Sequence, residues 1–241
     1  MAAPLIATRG LTLVAAGRVL VAGLDWQADV GERWCVIGRN AVGKSTLMRA
    51  LAGLSVPGRE GNVEWLGRAQ SAWAAADAAV VRAFAPQQAV DRFSITISRL
   101  LELAVCVPRA ATAPLLHALD IEALATRDVM ALSGGERQRV ALAQCAAQGA
   151  PLMLLDEPVA FQDPAHQMLI ARWLAALADR CIVASAHDVN WIAAVATHVL
   201  ALHGDGRWEA GPVAHMLDAA RLEAVYGCRW RQADGAWLAL A

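Results

Sequence analysis

The residues with the most specific chemical pattern are Gly38-Arg39-Asn40-Ala41-Val42-Gly43-Lys44-Ser45, followed by Thr46. They fit the P-loop pattern G-x-x-x-x-G-K-[ST], in which glycines let the backbone fold around phosphates. In such a loop the lysine reaches the β- and γ-phosphates and the following hydroxyl binds Mg²⁺, which are the roles predicted for Lys44 and Ser45. Lys44 is also the only lysine among 21 basic residues. In a chain that uses arginine elsewhere, this choice indicates that a compact ammonium is needed at this position.

Two adjacent carboxylates follow a short apolar run, Leu152–Leu155. If that run is a strand of a parallel sheet, Asp156 and Glu157 lie at its carboxyl end, where such sheets place their ligands. We expect Asp156 to hold Mg²⁺ and Glu157 to act as the general base towards an attacking water. The alternative is that the two acids only begin a helix, since Pro158 follows them.

A second helix start carries Ser133, Gly134 and Gly135 before a long helical segment. Serine and glycines at this position form an anion site, and Glu136 in the first turn makes Ser133 a natural cap. Taken alone, the pattern indicates helix capping.

The segment LSGGERQRV that begins at Leu132 resembles the signature motif of ATP-binding-cassette (ABC) ATPases. The resemblance implies that the cofactors are ATP and Mg²⁺. It also implies that the signature of one subunit closes over ATP held by the P-loop of a second copy. Ser133, Gly134 and Gly135 would then meet the nucleotide of the other subunit.

The family pattern extends to three further positions in the expected order. Gln87 matches the glutamine that senses Mg²⁺ and the attacking water, although its neighbour Gln88 is an alternative. Asp163 matches an aspartate that crosses the dimer interface, and His187 matches a switch histidine that contacts the γ-phosphate. The resemblance therefore implies Lys44, Gln87, Glu157 and His187 as catalytic residues and Ser45, Gln87 and Asp156 as metal ligands.

Three departures from the family pattern are visible. Ala41 stands where a glycine is usual, and Phe161-Gln162 precede Asp163 where a small residue and leucine are usual. The aromatic ring that stacks on adenine in the family has no counterpart near Ala15 and Ala16. Trp26 or Trp34 could substitute for it, although Trp34 lies in the predicted buried strand, and the planar guanidinium of Arg18 could cover the base instead.

The order of predicted elements indicates an α/β fold with a parallel sheet, an antiparallel β edge and an inserted helical subdomain. The whole chain, residues 1–241, is predicted to be a single domain, with the helical subdomain at about residues 88–150. The helical character from Gln87 to Met130, which includes Pro108, supports the insertion. The predicted elements are strands at Leu11–Ala15, Val19–Val21, Asp25–Ala28, Trp34–Ile37, Val80–Ala83, Leu152–Leu155, Cys181–Ser185 and Val199–Leu202, helices at Lys44–Ala52, Pro114–Leu119, Ser133–Gln148 and Ala165–Ala178, and a terminal hairpin at Arg229–Leu240.

Composition argues against several other classes of protein. The net charge of −1 with no basic block argues against a nucleic-acid partner. No run of about 18 uncharged apolar residues exists, and the first residues lack a secretory pattern. The five cysteines, Cys106 included, form no CxxC pair, which indicates small core residues in a reducing compartment.

Features outside the nucleotide motifs resemble the ATPases of importers for cobalamin, siderophores and haem. They are Gln167, the segment His187–Asn190 and the segment Leu222–Gly227. The short helical subdomain and the pair Gln87-Gln88 resemble the cobalamin member most. The resemblance implies a polytopic permease, a second copy of this chain and a solute-binding protein as partners, at the cytoplasmic face of the inner membrane. An exporter subunit and a soluble ATPase such as that of iron–sulfur assembly are the alternatives.

Overall fold

The structure is a computed structural model that describes residues 3–88, 93–104 and 112–240. The predictions for Cys106 and Pro108 lie outside the described residues. The strands are β1 (Ile6–Ala15), β2 (Arg18–Ala28), β3 (Arg33–Ile37), β4 (Arg59–Trp65), β5 (Arg68–Ala69), β6 (Arg82–Ala85), β7 (Leu152–Asp156), β8 (Cys181–Ser185), β9 (His198–Leu202), β10 (Trp208–Pro212), β11 (Arg229–Ala233) and β12 (Ala236–Leu240). The helices are α1 (Lys44–Leu51), α2 (Ala75–Val81), α3 (Ile97–Glu102), α4 (Thr112–Ala118), α5 (Gly134–Ala147), α6 (Pro164–Ala176), α7 (Val189–Val195), α8 (Val213–Met216) and α9 (Ala219–Tyr226).

The central sheet has the strand order β10-β9-β3-β8-β7-β6, and its strands are parallel except for the edge strand β10. Both faces are buried. Along β7, Met153 and Leu155 pack into one apolar cluster, whereas Leu152 and Leu154 pack into the other. This alternation explains why the strand reads as a continuous apolar run in the sequence.

The antiparallel sheet has the order β2-β1-β4-β5. The segments Val19–Val21 and Asp25–Ala28, predicted as separate strands, belong to the single strand β2. Register shifts in the β1–β2 ladder interrupt its alternation, and Gly23 has φ +58° there. Such a bulge breaks the period-two pattern without ending the strand. The predicted α/β fold with a parallel sheet and an antiparallel edge is confirmed.

Helices α3, α4 and α5 lie between β6 and β7 in the chain, and α5 contacts α3, α4 and β6. One predicted strand in this part is wrong at its start, because Val80 belongs to α2 and the strand begins at Arg82. None of the described helices is long and apolar enough to cross a membrane.

The chain ends in α9 and the β11–β12 hairpin, which turns at Asp234 and Gly235 with φ of +50° and +79°. The predicted hairpin and its Asp-Gly turn are therefore present. Helix α9 packs against β11, and β12 contacts α7.

Candidate functional site

The loop between β3 and α1 places its two glycines where a larger residue would not fit. Gly38 has φ +148°, and a Cβ there would lie 2.7 Å from the carbonyl oxygen of Leu202. Gly43 has φ +114°, and a Cβ there would lie 2.9 Å from the Cβ of Leu20. Ala41 adopts φ +59°, a left-handed conformation that costs an L-residue about 1 kcal/mol. The usual glycine at position 41 is thus replaced at a place where glycine has a conformational advantage.

The Lys44 side chain is only 5% exposed and lies under this loop. Its Nζ donates hydrogen bonds to the carbonyl oxygens of Gly38 at 2.8 Å and Arg39 at 3.1 Å. Burial lowers the pKa of Lys44 from its usual value, while the carboxylates of Glu157 and Asp156 oppose this shift. The buried ammonium is held at the base of the loop by two neutral acceptors, which leaves it able to meet a phosphate.

The carboxylate of Asp156 is fixed by a residue that sequence reasoning missed. Ser185 at the end of β8 is fully buried, and its hydroxyl donates to Oδ1 of Asp156 at 2.6 Å. The same hydroxyl accepts the backbone N–H of Glu157 at 2.9 Å. Asp156 and Ser185 are directly paired in the parallel ladder, so only the strand register, which the sequence does not give, identifies Ser185.

The Glu157 side chain is held from two sides. Gln87 Nε2 donates to its Oε2 at 2.8 Å, and His187 Nε2 lies 2.5 Å from its Oε1. The backbone at Glu157 has φ +52°, and its carbonyl accepts a hydrogen bond from Gln138 Nε2 at 3.4 Å. A non-glycine residue in this conformation is a strained position of the kind that clusters at functional sites.

These side chains open onto one cleft of about 580 Å³ beside the P-loop. No aromatic side chain lines it among the described residues. A second recess of about 510 Å³ adjoins it across Ala15, Ala16 and Thr46 and extends to Val56 and Pro57. The residues that line the first cleft are Ala15, Ala16, Arg18, Leu20, Asn40, Ala41, Gly43, Lys44, Ser45, Thr46, Gln87, Glu157 and His187.

The other predicted ligand residues do not line this cleft. Ser133 is engaged in a capping box: its hydroxyl accepts the Glu136 N–H at 3.3 Å, and Glu136 Oε2 accepts the Ser133 N–H at 2.7 Å. Asp163 caps α6 by accepting the His166 N–H at 2.9 Å, and its other oxygen lies 2.8 Å from His166 Nδ1. Within one copy of the chain, the structure therefore separates Ser133, Gly134, Gly135 and Asp163 from the P-loop cleft.

The unusual residues before Asp163 tie it to the start of α5. The buried Gln162 donates from Nε2 to the Gly135 carbonyl at 2.8 Å and accepts from Arg139 at 3.0 Å. The exposed Phe161 has φ +62°, and its ring lies 3.6 Å from the point where a Cβ of Gly134 would be. The polar side chain of Gln162 thus joins the segment before Asp163 to the start of α5.

The donor atoms near the cleft suit a hard cation. Ser45 offers a hydroxyl and Asp156 a buried carboxylate, while the amide oxygen of Gln87 is left over because its nitrogen donates to Glu157. Oxygen donors with one or two carboxylates, completed by phosphate oxygens and water, are typical of Mg²⁺ sites. Among the described residues, no group of three His, Cys, Asp or Glu side chains is arranged to hold a metal.

Comparisons with known proteins identify relatives of this chain. A family model described as "ABC transporter" matches residues 21–160. The hemin import ATP-binding protein HmuV of Streptomyces coelicolor is 37% identical over 233 residues, which cover 92% of this chain and 83% of that protein. The cobalamin import ATP-binding protein BtuD of Halobacterium salinarum is 34% identical over 91% of this chain and 58% of that protein.

Solved structures share the fold at lower identity. An ATP binding subunit of an ABC transporter has a TM-score of 0.78 and 21% identity, with 92% of this chain and 94% of that chain covered. A bacterial Atm1-family ABC exporter with ATP bound has a TM-score of 0.79 and 23% identity, with 92% of this chain and 43% of that chain covered.

Proposed function

We propose that this chain, which belongs to the ABC transporter family as an ATP-hydrolysing subunit, powers an importer. The proposed substrate of that importer is of the hemin or cobalamin type. The observation that supports this proposal is the 37% identity to a hemin import protein across 92% of the chain. Hemin and cobalamin are the substrates named for the relatives given above, and an iron-siderophore is a third member of the class expected from the sequence.

The site supports a specific division of roles in hydrolysis. The P-loop amides and Lys44 bind the triphosphate, and Glu157 accepts the proton of the water that attacks the γ-phosphorus. The bond to the β-phosphate oxygen breaks and ADP leaves. Gln87 and His187 each hold one oxygen of Glu157, so the base is oriented before the water arrives. Preorganisation of this kind avoids a reorganisation cost during the reaction.

We propose that Ser45, Asp156 and Gln87 hold Mg²⁺ when nucleotide is bound, where the ion would neutralise charge on the β- and γ-phosphate oxygens. Ser185 has a positioning role in this arrangement, because it fixes both Asp156 and the backbone of Glu157.

We further propose that a second copy of this chain completes the site. Ser133, Gly134, Gly135 and Asp163 carry anion-binding and polar groups but do not line the cleft of their own subunit. A nucleotide sandwich between two copies places them against the other subunit's triphosphate. A permease at the cytoplasmic face of the inner membrane and a solute-binding protein complete the proposed importer, with no nucleic acid involved.

The proposed permease surface is the outer rim of the groove next to Gln87, on the side of Leu54 and Gln88. This groove has a volume of about 580 Å³, and its inner part is lined by the proposed metal ligands Ser45 and Asp156. Phe93 nearby in the chain is 80% exposed, which suits a docking role. Ile97, which is also close in the chain, does not contribute to this surface, because it is fully buried in the core.

Phe93→Asp is therefore expected to uncouple transport from hydrolysis. A charge on this exposed ring position should weaken docking without reaching the nucleotide cleft. The measurement is substrate uptake and ATPase activity of the reconstituted complex, with Glu60→Gln on β4 as a surface control. Unchanged uptake in Phe93→Asp would move the docking surface elsewhere.

The substrate proposal is tested by reconstituting the chain with its permease in vesicles and measuring ATP-dependent uptake of hemin and of cobalamin. Uptake of one of them, abolished by Glu157→Gln, is the expected result. Substrate movement in the opposite direction would indicate an exporter. Hydrolysis by a chain that never associates with a polytopic membrane protein would indicate a soluble ABC ATPase.

A further inference from the structure

The C-terminal hairpin is attached to α7 by an unusual side-chain pairing. The Asn190 amide nitrogen donates to the Trp237 carbonyl at 3.1 Å, and its amide oxygen accepts the Trp237 N–H at 2.7 Å. One side chain thus satisfies both backbone groups of a residue on β12, as a neighbouring strand would. Asn190 lies three residues after His187, in the first turn of α7.

The same C-terminal segment also contacts the beginning of the P-loop. The Arg39 guanidinium lies 3.7 Å from the point where a Cβ of Gly227 would be, directly after α9. Burial raises the pKa of Tyr226 to about 12, and the nearby backbone amide of Gly38 opposes that shift. The Tyr226 hydroxyl is buried and has no hydrogen bond of normal geometry among the described residues, although the Gly38 amide is close enough to affect its pKa. The Tyr226 ring in turn lies 5.5 Å from the Trp230 ring on β11.

These two attachments lie at the ends of neighbouring strands. β3 leads into the P-loop and β8 leads to His187, and the two strands are paired with Val36 opposite Ser185. Between β8 and α7, the backbone direction is set by Asp188, which caps α7 by accepting the N–H groups of Asn190 and Trp191 at 2.8 and 3.1 Å. A rigid segment that contacts both the P-loop start and α7 limits the movement of His187 relative to the phosphates.

From this geometry we propose that residues 219–240 form a brace that fixes His187 relative to the P-loop, with Asn190 as the positioning residue. Asn190 does not line the cleft. It acts through His187, which contacts Glu157. The inference rests on the proposed role of His187 in hydrolysis. It adds that the brace fixes the position of His187.

The test is a double-mutant cycle in the full-length chain. Hydrolysis is measured as kcat and KM for MgATP in wild type, Asn190→Ala, His187→Ala and the double variant, with free energies of unfolding from urea titrations. Asn190→Ala is expected to lower kcat about tenfold, less than the ~100-fold cost of a full 1 Å misplacement, with little change in KM. In the His187→Ala background the same substitution should change kcat by less than about twofold, since both residues act through one interaction.

Two further variants separate positioning from stability. Asn190→Asp keeps the size of the side chain and an acceptor for the Trp237 N–H but replaces the donor with an anionic oxygen that faces the Trp237 carbonyl oxygen. It should lose kcat at least as strongly as Asn190→Ala, and its free energy of unfolding reports any loss of folded protein. Asn62→Ala, the same substitution at an exposed residue of β4 outside the brace, is the matched control and should leave kcat unchanged.

The kinetic results distinguish failure of the brace from failure of the proposed role of His187. A kcat loss for Asn190→Ala that is additive with His187→Ala, or that follows only the loss of folded protein, overturns the brace. If His187→Ala is defective but Asn190→Ala and Asn190→Asp hydrolyse like wild type, the brace alone is overturned. If His187→Ala has no effect, both the brace and the proposed role of His187 fall.

Discussion

At the scale of single residues, the cradle around Lys44 explains why this arginine-rich chain keeps one lysine. The ammonium fits between two carbonyl oxygens in a nearly closed space. A guanidinium is planar and wider, so Lys44→Arg should displace the loop even though the charge is kept. We expect ATPase activity to fall about 100-fold, the usual cost of losing one preorganised donor. Arg172→Lys, on the exposed face of α6, is the control, and retention of most activity in Lys44→Arg would remove this explanation.

The proposed role of Glu157 in hydrolysis can be tested separately from ATP binding. Glu157→Gln can keep its contacts to Gln87 and His187 but has no basic oxygen, so hydrolysis should fall by about 10²–10⁴ while ATP still binds. An ATP-bound dimer should then accumulate, as measured by size-exclusion chromatography of the assembled complex. Loss of hydrolysis without any gain in dimer would argue against the sandwich. Glu60→Gln serves as the control for the charge change.

At the scale of elements, the sequence predicted those parts whose pattern is local. β7 and β8 are apolar on both faces, so they read as uninterrupted runs, and their carboxyl ends carry the acids and the histidine. β4 was missed because, of its seven residues, only Val63 and Trp65 are buried, which leaves almost no alternation to detect. The start of β6 was misplaced because Val80 and Val81, β-branched residues typical of strands, belong to the end of α2, and the strand begins only at Arg82.

The residues of the site likewise divide into those that a local motif predicts and those that no local motif predicts. Lys44, Glu157 and His187 follow motifs, and the structure brings them together with Gln87 rather than Gln88 at Glu157. Ser185 has no motif, because its importance comes only from its register opposite Asp156. Contacts between segments distant in the chain, such as Asn190 with Trp237, are likewise absent from any local pattern.

The β1–β2 turn determines how the base can be held. Ala15 ends β1 beside the cleft, whereas Ala16 and Gly17 form the turn with φ of +49° and +74°. Ala15→Tyr should therefore supply a stacking ring and tighten ATP by up to about tenfold, near the lower end of base-stacking energies. Ala16→Tyr should instead strain the turn, because a bulky residue is disfavoured at positive φ.

The selectivity of the unmodified chain between ATP and GTP is a second measurement at this site. Arg18 lines the cleft and its guanidinium donates to the Gly204 carbonyl at 3.4 Å, so it is in place to cover a base of either kind. GTP should be hydrolysed nearly as well as ATP, and Arg18→Ala should weaken both nucleotides. A strong preference for ATP that survives Arg18→Ala would show that another group reads adenine.

At the scale of the whole molecule, the two halves of the expected nucleotide site face different surroundings. The P-loop, Asp156 and Glu157 lie at the carboxyl edge of the parallel sheet, while the start of α5 is tied to the Asp163 segment through Gln162. In the proposed nucleotide sandwich, a single copy binds the triphosphate on one surface and presents the capped helix start on another. A second copy is then needed to bring the two surfaces to one nucleotide.

Ser133→Arg tests this arrangement because it adds bulk at the helix start without touching the cleft of the same subunit. ATP affinity of the monomer should stay within about twofold, the usual scatter for independent sites. Hydrolysis should fall at least about 100-fold, and the ATP-dependent dimer of Glu157→Gln should be lost in the double variant.

Glu136→Ala removes the reciprocal capping bond, at a cost of about 1 kcal/mol in stability, but adds no bulk, so it controls for helix capping. The measurements are binding of a fluorescent ATP analogue, phosphate release and size-exclusion chromatography. Loss of nucleotide binding by the Ser133→Arg monomer would place the helix start in its own subunit's site, and persistent hydrolysis would mean that the second copy is not required.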